Sequence, residues 1–127
     1  MSKIDEGCKY TETDEWIKIE GGKARIGITD YAQEKMNDLT YVDLPEVGTE
    51  VSKGEPLLVV ESVKSAADVN SPVSGTITAV NEELEDNAEI VNQDPYGEGW
   101  MIEIELADKA ELDTLLSPGD YLKKTGE

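Results

Sequence analysis

The sequence predicts a mostly β fold, a small antiparallel sandwich or barrel with short helices and one helix near the C-terminus. Three observations carry this expectation. Short apolar segments alternate with a period of two, as half-buried strands do. Glycine and proline punctuate the spaces between them, which suits tight turns. Only beyond residue 108 do leucines fall at helical spacing, at Leu112, Leu115 and Leu116. The chain has 127 residues, 38% of them apolar, with two Trp, five Tyr and no Phe. That is enough for one domain spanning 1–127, with an aliphatic core.

The elements follow in order. Residues 1–9 are polar and mixed and read as a frayed start that holds the single cysteine, Cys8. Trp16 to Ile19 and Lys23 to Ile28 alternate on either side of Gly21-Gly22, which reads as a hairpin. Thr29 or Asp30 caps a short helix from Tyr31 to Met36, with Gln33 three residues after Asp30 as in a capping box. Leu39 to Leu44 is a strand that Pro45 stops, and a short strand lies around Glu50 to Ser52. Pro56 to Glu61, with Leu57, Leu58, Val59 and Val60, is a continuous apolar run, hence a strand buried on both faces. Ala66 to Val69 and Gly75 to Val80 are two more strands. The acidic stretch from Asn81 to Asp94 reads as a loop with one helical turn near Ala88 to Val91. Trp100 to Leu106 is the cleanest alternating strand. Asp108, with Glu111 three later, opens a helix that Ser117-Pro118-Gly119 ends, and a last helical turn follows at 120–124.

Charge narrows the function. Eleven Lys plus Arg against 29 Asp plus Glu give a net charge of −18. Such a surface repels nucleic acid and anionic lipid, and it favours partners with a basic face. The absence of His removes the commonest general base and metal ligand. One Cys forbids an internal disulfide and any CxxC motif. No apolar run approaches the roughly 20 residues of a membrane helix. With Met1 and no signal or transit pattern, the expectation is a cytoplasmic, prokaryotic protein, with monomer as the default state.

The familiar catalytic motifs are missing, and the many acidic pairs read as solvated surface rather than a metal site. One segment differs. Residues 60–75 place two apolar strands around a short polar connection that would hold Lys64 at a hairpin tip, clear of the core. A plain surface lysine is the default there. A modification site is the sharper reading, because a rigid tip presents the amine and the small Val63 and Ser65 leave room for an enzyme's pocket.

The segment Glu61-Ser62-Val63-Lys64 followed by Ser71-Pro72-Val73-Ser74-Gly75 resembles the lipoyl-lysine hairpin of the glycine cleavage system H-protein family. The resemblance extends in order over roughly residues 9–122. It takes in Tyr10, Glu15-Trp16, the run from Gly27 to Gln33, Leu44 to Gly48, Lys53-Gly54-Glu55, Asn81-Glu82, and Asn92 with Asp94 to Trp100. It implies a lipoyl/biotinyl-like barrel-sandwich hybrid and a carrier rather than an enzyme. Lys64 would hold lipoate in amide linkage. The arm would shuttle an aminomethyl group from the decarboxylating P protein to the T protein, and electrons to the L protein, a dihydrolipoyl dehydrogenase. Glu61, Ser62, Val63 and Ser65 would be read by the modifying enzyme, a lipoate ligase or an octanoyl/lipoyl transferase.

The resemblance also implies a cleft into which the loaded arm folds, involving Thr13, Glu15, Lys35 and Asp68. Two positions depart from the family: Asp14 stands where members often have His, and Lys35 where some have it. Trp16, Tyr96 and Trp100 read as packing residues. The alternative function is an H-like octanoyl/lipoyl carrier serving lipoate biosynthesis or relay. A biotin carrier is disfavoured because Met does not flank Lys64, and an unmodified acidic binding module remains as a further alternative.

Overall fold

The computed structural model describes residues 3–126; Met1, Ser2 and Glu127 lie outside the described residues. Among the described residues, nine strands form two antiparallel sheets. They are β1 (Lys9–Tyr10), β2 (Glu15–Glu20), β3 (Lys23–Ile28), β4 (Leu39–Asp43), β5 (Glu50–Val51), β6 (Pro56–Ser62), β7 (Ala66–Asn70), β8 (Gly75–Val80) and β9 (Ile102–Leu106). The larger sheet runs β1-β2-β3-β9-β8-β5 and the smaller β4-β6-β7. The helices are α1 (Asp30–Met36), α2 (Glu83–Asp86), α3 (Ile90–Gln93) and α4 (Pro118–Thr125), with a 3₁₀ turn at Lys109–Thr114. None is long and apolar enough to cross a membrane.

The inward positions of both sheets make one aliphatic core. Ile17, Ala24, Ile26 and Ile28 come from the β2–β3 hairpin, and Ile77, Ile102 and Ile104 from β8 and β9. Leu39, Val42, Leu57, Leu58, Val60 and Val69 come from the smaller sheet. The apolar run in β6 buries the consecutive Leu57 and Leu58 because the register against β7 shifts between Pro56 and Leu58. Such a bulge turns neighbouring side chains onto one face.

Several sequence expectations change. Of the start expected to be frayed, Met1 and Ser2 lie outside the described residues, and the rest is anchored: Cys8 and the following Tyr10 are buried with Trp16 and Tyr121 in a small second cluster. Tyr10 also exchanges backbone hydrogen bonds with Leu116, at 2.9 and 2.7 Å. Thr29 caps α1 by accepting from the Ala32 N–H at 3.2 Å. Gln33 then bonds the Asp30 side chain rather than a free cap N–H. Residues 81–94 hold two short helices instead of one turn. The C-terminal helix sits later than its leucines suggested. Asp108 starts only a 3₁₀ turn, while Ser117 is the N-cap and Pro118 lies in the first turn of α4. The Ser-Pro-Gly cluster therefore begins a helix, since proline's missing N–H costs nothing there. The last strand opens at Ile102, two residues after Trp100.

Candidate functional site

Lys64 stands at the end of the β6–β7 hairpin. The last ladder pair is Glu61 with Ala66. Beyond it the Ser62 N–H donates to the Ser65 carbonyl at 2.8 Å, and the Ser65 N–H to the Ser62 hydroxyl at 3.3 Å. These bonds fix both ends of a two-residue tip, Val63-Lys64, of which Val63 is 85% exposed. Neither tip residue needs a positive φ, so the turn requires no glycine. Glu61, Lys64 and Ser65 are exposed and Ser62 is half-buried. Among the described residues, no hydrogen bond or ion pair engages the Lys64 amine.

Two cavities lie beside the hairpin. One, of about 240 Å³, sits under the tip between Ser62, Val63, Lys64 and the end of α1. The other, of about 230 Å³, is lined by Thr13, Glu15, Lys35 and Asp68 together. The structure thus brings the four cleft residues to one place from three elements. Thr13 and Glu15 come from the loop and strand around β2, Lys35 from α1 and Asp68 from β7. The rest of that wall is largely apolar and includes Ile28, Ala32, Val60, Ala67 and Val69.

Glu15 is only 2% exposed. Its carboxylate accepts from the Thr11 hydroxyl at 2.6 Å, the Thr13 hydroxyl at 2.5 Å and the Asn70 N–H at 3.2 Å. Burial disfavours its charged form and raises its pKa, partly offset by these three donors. Lys35 is exposed and lays its amine over the Tyr31 ring, 4.8 Å from the centroid. Asp68 is exposed on β7, so it can reach a ligand without prior desolvation.

Asp14 has an explanation of its own. Its φ is +71°, and its carboxylate accepts from the Tyr121 hydroxyl at 2.9 Å and the Lys124 amine at 3.0 Å. It ties α4 to the loop before β2. Sequence reading missed Thr11 and Asn70, which hold Glu15, and Met36, which lines both cavities. The Thr11-x-Thr13-x-Glu15 spacing is a local signal for the first. Asn70 lies 55 residues away from Glu15 and gives none.

A family model described as glycine cleavage H-protein matches residues 8–127. The chain belongs to that family. The glycine cleavage system H protein of Coprothermobacter proteolyticus is 52% identical over 98% of this chain and 99% of its own length. That of Carboxydothermus hydrogenoformans is 50% identical over 97% and 95%. A crystal structure of a glycine cleavage system H protein from Mycobacterium marinum superposes with a TM-score of 0.90. It is 38% identical and covers 98% of this chain and all of that one. The fold is therefore that of the H proteins, and the role is that of the lipoyl carrier in the glycine cleavage system. The carrier's partners are the other proteins of that system.

Proposed function

We propose that Lys64 is the attachment point of the arm and that the cavity around Glu15 and Asp68 receives its cargo. The observation that carries this is the placement of an unengaged amine on a rigid two-residue tip beside a carboxylate-lined cavity. The residues suit lipoate: an exposed primary amine can form an amide, and the mainly apolar wall suits an alkyl chain and sulfur. Held there in amide linkage, lipoate would supply a dithiolane able to take up a one-carbon amine together with two electrons.

The chain's own residues do the rest. The paired hydrogen bonds of Ser62 and Ser65 hold the tip in one conformation, which leaves Glu61, Val63 and Ser65 for a lipoate ligase or octanoyl/lipoyl transferase to read. Glu15 and Asp68 present acidic oxygens to a protonated aminomethyl group, and Thr11 and Thr13 orient Glu15. The apolar wall excludes water from the cargo. Lys35, held over Tyr31, borders the same cavity and can meet the amide end of the arm. A carrier needs no base of its own, in keeping with a chain without His. The net charge of −18 steers it toward basic faces on the P, T and L proteins. It works as a monomer, its arm raising the effective concentration of cargo at each partner in turn.

The test is release of glycine's carboxyl carbon by the P protein in the presence of the lipoylated chain. Release that requires the lipoylated chain is the expected result. A lipoylated chain that the P protein ignores would favour the lipoate-relay alternative.

A further inference from the structure

Among the described residues, Met36 alone lines both the cavity under the hairpin tip and the cavity that Glu15 shares with Asp68. It is the last residue of α1, and the chain turns away immediately after it, with Asn37 at φ +64°. That turn is pinned: the Asn92 side chain donates to the Asn37 carbonyl at 2.8 Å and accepts from the Leu39 N–H at 3.0 Å. The Met36 backbone is therefore fixed, while its side chain is half-buried against the aliphatic core. Its sulfur accepts from the Ser65 hydroxyl at 3.7 Å, across from the hairpin. Asp68 lies three residues beyond Ser65, about 10 Å farther along an extended strand. An arm that leaves Lys64 for the acidic cavity must cross the ground that Met36 occupies.

We propose that Met36 is the threshold of the cleft, a positioning residue over which the arm lies when its cargo is docked. This rests on the reading that Lys64 carries the arm. The chemistry suits the place. A thioether on three rotatable bonds adapts its shape to a passing alkyl chain and offers polarisable contact to sulfur. The weak hydrogen bond from Ser65 can be given up without leaving a buried donor, because Ser65 is exposed.

The test is made on the whole chain lipoylated at Lys64, with no partner protein present. The reduced arm is loaded with formaldehyde and ammonium. One sulfur gains a carbon–sulfur bond to an aminomethyl group, and the thiol proton and one ammonium proton leave with the formaldehyde oxygen as water. No oxidant is needed. The lifetime of the adduct is then followed by intact mass for wild type, Met36→Leu, Met36→Ala and Met36→Gln, beside free dihydrolipoamide treated alike. Wild type and Met36→Leu should hold the adduct longest. Met36→Ala and Met36→Gln should lose it about tenfold faster, a ratio that corresponds to about 1.4 kcal/mol of lost contact, with melting temperatures close to wild type. Equal lifetimes in all four proteins, each longer than the free adduct, would overturn the role of Met36 and leave the cleft standing. A wild-type lifetime no longer than that of the free adduct would overturn the cleft itself, and the threshold with it.

Discussion

The Glu15 carboxylate accepts the Asn70 backbone N–H at 3.2 Å, so the first residue of β2 is tied to the last residue of β7, the strand that descends from Lys64. The bond joins the larger sheet to the smaller one at the acidic floor of the cavity. The hydroxyls of Thr11 and Thr13 complete the set of donors on that carboxylate.

Glu15→Gln should destabilise the fold by about 1–3 kcal/mol, because an amide nitrogen would face one of three donors aimed at oxygen. The difference should depend on pH. Burial raises the Glu15 pKa from its ordinary 4.5, so the native state binds this proton more tightly than the unfolded chain. The resulting stability is fully present below the unfolded value and is lost as pH rises through the raised folded value. Urea unfolding of both proteins from pH 4 to pH 8 should show the gap narrowing upward from about 4.5. A gap that widens with pH would contradict this.

Asp14→Ala should cost about 1–2 kcal/mol and loosen α4, since it removes the acceptor of Tyr121 and Lys124. Asp14→Asn should be milder, because Asn tolerates positive φ and still accepts from Tyr121. Hydrogen exchange of the α4 amides distinguishes the two. Equal protection in wild type and Asp14→Ala would show that the tie is idle.

Gly75 lies in the Ser-Pro-Val-Ser-Gly segment, and a Cβ there would overlap the Glu105 backbone carbonyl of the paired strand. Gly75→Ala should therefore cost about 1–3 kcal/mol or more by overpacking, read as a drop in melting temperature. An unchanged melting temperature would mean that β8 and β9 can part there freely.

Cys8 is 3% exposed, and burial beside Asp5 pushes its pKa up to about 12. In the folded protein it should react with iodoacetamide at pH 8 far more slowly than in urea, because thiolate is the reactive form. Equal rates would show an open N-terminal segment.

The strands and the hairpin tip were legible because their signals are local. Alternation marks β2, β3 and β9, and apolar flanks around a short polar connection mark the Lys64 turn. The C-terminal helix was misplaced because Ser117-Pro118 suits a helix start as well as a stop, and only burial of Tyr121 against Tyr10 decides between them. That aromatic cluster joins residues more than a hundred positions apart, so no sequence window contains it. That Thr13, Glu15, Lys35 and Asp68 would share one cavity was expected through resemblance alone. Nothing in the spacing of Thr13, Glu15, Lys35 and Asp68 announces that α1, β2 and β7 converge there. Met36 reads in sequence as one more apolar residue at a helix end.

The most direct test is the intact mass of the chain before and after incubation with lipoate, ATP and a lipoate ligase, for wild type and Lys64→Arg. The account predicts one lipoyl-sized increment in wild type and none in the variant. No increment in wild type, with another H protein modified in the same tube, or an increment that survives in Lys64→Arg, would contradict it.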